Sequence, residues 1–312
     1  MTKLPFRVAE HLSLPVIAAP MFLVSSPELV IETCKAGIVG SFPLLNARTT
    51  EILEDWMKQI AEALAEVEAA PWAVNIIVHR SNQRYEEDLE LIDKYQPPIV
   101  ITSLGDPSPV VRLVHQYGGL VFSDVSQLAH ARKAAEKGVD GLILVCNGAG
   151  GHAGTLHPMA FIGAVKEFWE GITILAGSIS KGQDILAAKS LGADLAYMGT
   201  RFIATDESLA SREYQQMITE STLEDLIYTD AFSGIPANYL VPSIRKEGLD
   251  PNKLEKKASL DFSQVGNPSA KAWKDIWSAG QGVGAIKRVQ PVSEVVEELK
   301  REYDLALASL LK

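Results

Sequence analysis

Between Asn147 and Gly154 the chain reads NGAGGHAG, four glycines and two alanines around a single imidazole. His152 is the one ionisable side chain of the stretch. An imidazole titrates near neutrality, so it can take up a proton, give one, or steady an anion. A backbone this bare of side chains can also lie flat against a planar ligand. The plainer alternative is a flexible loop with an incidental histidine. Two further places gather small residues, Gly177–Ser178 and Gly199–Thr200. There, backbone N–H groups can approach an anion closely, although each pair alone could be an ordinary turn. Cys146, just before the glycine stretch, has no histidine–acid pair to activate it and reads as a small buried thiol. His157 could join His152 on a metal, but no cluster of Cys, Asp or Glu supports that reading. His11, His115 and His130 read as surface or helix residues.

Such groups act only if a scaffold brings them together. From Pro15 to about Phe202 short apolar runs alternate with longer amphipathic ones. The runs are PVIAA (15–19), GIVGS (37–41), WAVNIIV (72–78), IVITS (99–103), LVFSD (120–124), GLILVC (141–146), TILA (173–176) and LAYM (195–198). They are apolar nearly throughout, as strands buried on both faces are. The segments between them carry helix ends: Ser26 before Pro27 with a stop at Gly37, a helix from about Ser126 to Lys137 before Gly138, and a third from Lys181–Gly182 to Gly192. Eight strand–helix units in succession predict an α/β fold, a closed (β/α)₈ TIM barrel. A doubly wound sheet is the main competitor. Its glycine-rich first turn is missing, because the first strand ends in Ala19–Pro20–Met21.

Barrel active sites lie just after the strands. This chain puts there Ala19, Pro20 and Met21, then Asn75, at or just past the middle of the third strand, followed by His79, Ser103, Ser123–Asp124, Cys146 with the glycine loop, Gly177–Ser178 and Gly199–Thr200. The loops after strands seven and eight are a common phosphate site in barrels, and both hold the small residues such a site needs. The barrel is expected over 1–204. Residues 205–290 are richer in loop signals, SGIPAN (233–238), VPS (241–243), EGLDPN (247–252) and GNPS (266–269). They predict a smaller, mostly helical subdomain near the barrel mouth. The amphipathic stretch within 291–312 predicts a closing helix.

Composition narrows the partners. The chain has 312 residues, 47% hydrophobic, which suffices for one large core with a subdomain. A net charge of −10 argues against nucleic acid, which needs a basic face. No apolar run approaches the ~18 residues of a membrane span, and the start MTKLPFRVAEHLSLP lacks the apolar core of a secretory signal. The reading is a cytoplasmic protein with two free thiols, Cys34 and Cys146.

Together, AAPM (18–21), GAGGHAG (148–154), LAGSISKG (175–182) and GADLAYMGTRFIAT (192–205) resemble the nitronate monooxygenases, formerly called 2-nitropropane dioxygenases. The resemblance resumes at SAGQGVGAI (278–286). It implies an FMN-dependent barrel enzyme that oxidises alkyl nitronates, or nitroalkanes, with O₂ to a carbonyl compound and nitrite. By the same resemblance Ala19, Pro20 and Met21 lie against the flavin ring and Asn75 hydrogen-bonds it. Gly150 and Gly151 line the ring side with His152 at the reacting centre. Gly177, Ser178, Gly199 and Thr200 hold the phosphate, and Gln281 with Gly282 closes the pocket. His152 would hold the nitro group or take a proton from a neutral nitroalkane. Two positions depart from the family pattern: Ser178 where many relatives have a second glycine, and Asp124, also counted among the cofactor positions, where some place a lysine. Related barrels act as NAD(P)H:quinone or enoyl-thioester reductases, which is the alternative activity. A flavin-free isomerase or lyase, and a non-catalytic flavin-binding protein, are the other readings. The partners implied are a small molecule and O₂, with no nucleic acid and no membrane.

Overall fold

A computed structural model describes residues 3–255 and 275–311; the GNPS turn lies outside the described residues. The strands are β1 (Val16–Ala18), β2 (Gly40–Pro43), β3 (Trp72–Ile77), β4 (Ile99–Ser103), β5 (Leu120–Val125), β6 (Gly141–Val145), β7 (Gly151–His152), β8 (Ile172–Ala176), β9 (Leu195–Met198), β10 (Leu226–Thr229) and β11 (Ala237–Leu240). The helices are α1 (Phe6–Ala9), α2 (Pro27–Lys35), α3 (Thr50–Leu64), α4 (Tyr85–Tyr95), α5 (Ser108–Gln116), α6 (Leu128–Glu136), α7 (Pro158–Lys166), α8 (Gly182–Ser190), α9 (Thr200–Ile203), α10 (Arg212–Glu220), α11 (Val241–Lys246) and α12 (Val292–Leu310).

Eight strands pair in parallel in the order β1-β9-β8-β6-β5-β4-β3-β2. The remaining seam is held by Ile17 against Val39, so the sheet closes on itself as a TIM barrel. The second strand begins later than the apolar run suggests. Gly37 takes a positive φ of 85° to end the turn after α2, and the chain reaches the ladder only at Val39–Gly40. Because every run is apolar on both faces, the period of two is hidden in the sequence but explicit in the packing. Ile17, Val39, Ala73, Ile101, Phe122, Ile143 and Ile174 fill the barrel, and Leu4 and Val8 from the N-terminal segment join them. The opposite faces carry Val74, Val100, Val121, Leu142 and Leu175 into the shell under the helices.

The helix ends form as their residues dictate. Ser26 caps α2 by accepting from the Leu29 N–H at 2.9 Å. Helix α12 packs against α8 and α2, and a 2.7 Å ion pair from the buried Arg201 to Glu298 ties it to α9. No helix among the described residues is long and apolar enough to cross a membrane.

Among the described residues, the 205–290 segment contributes helices α10 and α11 and two strands that its polar composition conceals. Strand β11 pairs antiparallel with β10 on one side. On the other it takes up β7, two residues of the glycine loop, in the register Ala237 to His152 and Asn238 to Gly151. A cluster of Val24, Ile203, Tyr214, Leu240, Trp277 and Val283 joins this segment to the barrel's upper rim. Within it Tyr214 stacks on Trp277 with ring centroids 4.9 Å apart.

Candidate active site

A cavity of about 1330 Å³ opens over the carboxyl ends of the strands. Ligand pockets commonly measure ~300–1,000 Å³, so this one has room for a cofactor and a small substrate together. Ala19, Pro20, Met21, Asn75, Asp124, Gly150, Gly151, His152, Gly177, Ser178, Gly199 and Thr200 all line it. Gln281 does not; its side chain is exposed, while its neighbours Gly280 and Gly282 face the cavity.

The floor is polar on one side. Asn75, Ser103 and Asp124 lie in the inward-facing rows of β3, β4 and β5, each two residues beyond an apolar inward residue. They form a directed chain. Asn75 Nδ2 donates to Ser103 Oγ at 2.7 Å and to the Ile101 carbonyl at 3.2 Å, and Ser103 Oγ donates to Asp124 Oδ2 at 2.6 Å. The other carboxyl oxygen, Oδ1, is buried without a partner among the described residues. Burial outweighs the hydrogen bond from Ser103 and pushes the Asp124 carboxyl up to about 6. Tyr197, facing the cavity from β9, is driven upward by burial and by the charge of Asp124.

His152 stands above this floor. Burial lowers its imidazole to about 4, so it is neutral at physiological pH. Its Nε2 lies 3.1 Å from Ser233 Oγ, a residue of the 205–290 segment. The same segment holds the loop on both sides of the imidazole. Asn238, buried, donates to the Asn147 and Ala149 carbonyls at 3.1 and 2.7 Å, and Tyr228 donates to the Ala153 carbonyl at 2.9 Å. Tyr197, Tyr228, Ser233 and Asn238 are not among the residues singled out from sequence. The last three lie in a segment whose only signals were turns, and β7 is too short to announce a pairing.

The glycines divide into two kinds. A Cβ on Gly148 would lie 1.9 Å from Ser178 Oγ, and one on Gly150 would lie 2.8 Å from the Gly280 nitrogen. The Gly148 carbonyl accepts from both the Ser178 and Gln281 N–H groups, and Thr200 Oγ1 accepts from the Gly280 N–H at 2.8 Å. NGAGGHAG and SAGQGVG are therefore glycine-rich partly because their backbones cross in contact. Gly199 is different. Its φ of −100° suits any residue, and a Cβ there would meet only Met21 and Ala19 side chains at 3.4 and 3.6 Å. Neither backbone nor packing demands a glycine there, and the position faces the cavity.

Cys146 is buried against the Leu144 carbonyl, and burial pushes its thiol up to about 12. His157 is exposed and caps α7 by accepting from the Met159 N–H, a structural role away from His152. No group of three or more metal-ligating side chains occurs among the described residues.

The family model described as nitronate monooxygenase matches residues 7–302. The chain belongs to the nitronate monooxygenase family. It is 28% identical to a nitronate monooxygenase of Paraburkholderia phytofirmans, over 95% of this chain and 94% of that one. Among solved structures, FabK from Thermotoga maritima superposes with a TM-score of 0.82 at 23% identity, covering 99% of both chains. A nitroalkane oxidase from Streptomyces ansochromogenes superposes with a TM-score of 0.79 at 24% identity, covering 97% of this chain and 99% of that one. At these identities the structural likeness is one of fold, and it reinforces the barrel. For this family member, the geometry supplies a neutral imidazole over a roomy, partly polar cavity.

Proposed function

We propose that this protein binds FMN and uses O₂ to oxidise alkyl nitronates, and nitroalkanes after deprotonation, to a carbonyl compound and nitrite. The observation that carries the reading is the neutral, buried His152, facing a cavity large enough for two ligands in a chain of this family. FMN suits the residues present. Gly199 leaves open the space a Cβ would fill, which favours a close ligand there, and the under-satisfied Asp124 carboxylate offers an acceptor to a ring N–H. Ala19, Pro20 and Met21 would lie against the ring, with Asn75 and Asp124 at its polar edge and Gly150 and Gly151 alongside. Gly177, Ser178, Gly199 and Thr200 would surround the phosphate, and Gln281 would lie at the rim. When bound, the flavin supplies the electron transfer.

The chain's own groups do the rest. His152, being neutral, takes the proton from the carbon beside a nitro group, and as imidazolium it lies next to the resulting anion. A preformed nitronate needs no such transfer, so for it the imidazole only positions the nitro oxygens. The test is His152→Asn assayed with a nitroalkane and its nitronate at matched pH. General bases contribute ~10²–10⁴-fold, so nitroalkane turnover should fall by that much and nitronate turnover far less. Equal losses would remove the base role. An anaerobic spectrum of the purified protein, mixed first with a nitronate and then with NADH, separates this activity from the quinone or enoyl-thioester reductase reading. Bleaching by NADH alone would favour the reductase. The expectation of a cytoplasmic location belongs with this proposal and is checked by fractionation.

A further inference from the structure

We propose that Asn75, Ser103 and Asp124 form a potential-setting floor, an edge of hydrogen-bond acceptors with one uncompensated negative charge that holds bound FMN toward its oxidised form. The inference rests on the proposed cofactor and goes beyond it to the residue that tunes it. The hydrogens of this floor can be counted. The Ile101 carbonyl can only accept, so the Asn75 atom 3.2 Å from it is the amide nitrogen. That nitrogen gives its second hydrogen to Ser103 Oγ at 2.7 Å. The Ser103 hydroxyl accepts there and has its one proton left for Asp124 Oδ2 at 2.6 Å. Every hydrogen of the floor is spent within it. What is left for a ligand is the Asn75 amide oxygen and Asp124 Oδ1, both acceptors. Neither side chain makes a further hydrogen bond or ion pair among the described residues.

No cation answers the carboxylate. Asp124 feels burial on one side of the balance and the Ser103 hydroxyl on the other. It is ionised at pH 7.5, since burial takes it only to about 6. Tyr197 on β9 shares the cavity and stays a neutral phenol, driven up by burial and by the charge of Asp124. His152 on β7 is a neutral imidazole. His130, Lys133, Glu136 and Lys137 line the cavity from the α6 side, but all four are exposed and screened by water, and Lys137 pairs with Asp106 at 3.5 Å. Two-electron reduction of a flavin with uptake of one proton adds one negative charge to its ring. A fixed carboxylate in the same cavity opposes that gain whichever ring edge it meets. The reduced ring is then readier to pass both electrons to O₂. At an effective dielectric of ~20, a unit charge within about 10 Å favours the oxidised state by ~10-fold, which is ~30 mV for a two-electron couple.

The test is an anaerobic reference-dye titration of the purified, FMN-loaded protein at pH 7.5, for wild type, Asp124→Asn, Asp124→Ser and Asp124→Glu. Each neutral variant that carries FMN should have a midpoint potential ~30 mV above wild type, and Asp124→Glu, which keeps the charge, should stay near wild type. A merely structural role would weaken the hold on both redox states alike and leave the potential in place. An unmoved or lowered potential in a neutral variant would overturn the proposal, and so would a rise in Asp124→Glu equal to that of the neutral variants. Loss of FMN from both neutral variants would overturn it as well, because a charge that opposes only the reduced state is not needed to hold the oxidised one. Wild-type protein purified without FMN would sink the proposed function and this inference with it; FMN-loaded proteins of equal potential would sink this inference alone.

Discussion

Two buried groups face one cavity with opposite proton preferences, and their effects on stability should run in opposite directions with pH. Asp124 is pushed up from 3.8 to about 6 by burial. Between those values the folded protein holds a proton that the unfolded chain has lost. Stability from this group is present below pH 3.8 and lost as pH rises through about 6. His152 is pushed down from 6.5 to about 4 by burial. Here the unfolded chain holds the extra proton, so stability is present above pH 6.5 and lost as pH falls through about 4. At ~1.36 kcal/mol per pH unit of displacement, each contributes at most about 3 kcal/mol, since both side chains keep partial contact with the open cavity. In the wild type the two slopes largely cancel between pH 4 and 6.5.

Removing either group should expose the other. Asp124→Asn keeps an oxygen for Ser103 and removes the charge. Its stability relative to wild type should grow by up to about 3 kcal/mol from pH 4 to pH 6.5, or ~6 °C at roughly 2 °C per kcal/mol for a protein of this size. His152→Asn should do the reverse, gaining on the wild type as the pH falls over the same window. The assay is thermal unfolding of the three proteins, freed of bound small molecules, at half-unit steps from pH 4 to 7.5. Differences that stay flat with pH in both variants would refute the burial argument for both groups.

The glycines offer a sharper separation of packing from ligand binding. Gly199→Ala should leave the melting temperature nearly unchanged, and Gly199→Glu should yield folded protein that copurifies without FMN; a full complement of FMN in Gly199→Glu would move the phosphate elsewhere. Gly150→Ala should instead destabilise by ~1–3 kcal/mol, because its Cβ would meet the Gly280 backbone, and an unaltered melt would refute that contact. Cys146→Ala should keep most turnover, since the buried thiol is held far from ionisation at neutral pH; abolished activity with flavin still bound would count against it.

The barrel was legible because its cause is repetitive. Eight apolar runs separated by capped amphipathic segments leave few alternatives, and the residues after each run fall at the mouth whatever the details. Asp124 and His152 are found in that way, by their position at or just after the ends of runs, whereas Asn75 lies near the middle of its run and is marked by the family resemblance. What the sequence could not disclose was contact between segments remote along the chain. Asn75 and Asp124 are joined by Ser103, which the end of its run places at the mouth, but the hydrogen bonds among the three follow only once parity puts them on one inner face. The glycine loop looked like a surface waiting for a planar ligand, because glycine permits any close approach. Part of that approach is to the chain's own 278–282 segment. Residues 205–290 showed only turns, since a strand of four residues gains its meaning from its partner, and that partner is the two-residue strand bearing His152. The imidazole that invites a catalytic reading from the barrel sequence is held by a hydroxyl from outside it. In this chain the barrel delivers the cavity, and the added segment holds the loop that carries His152 over it.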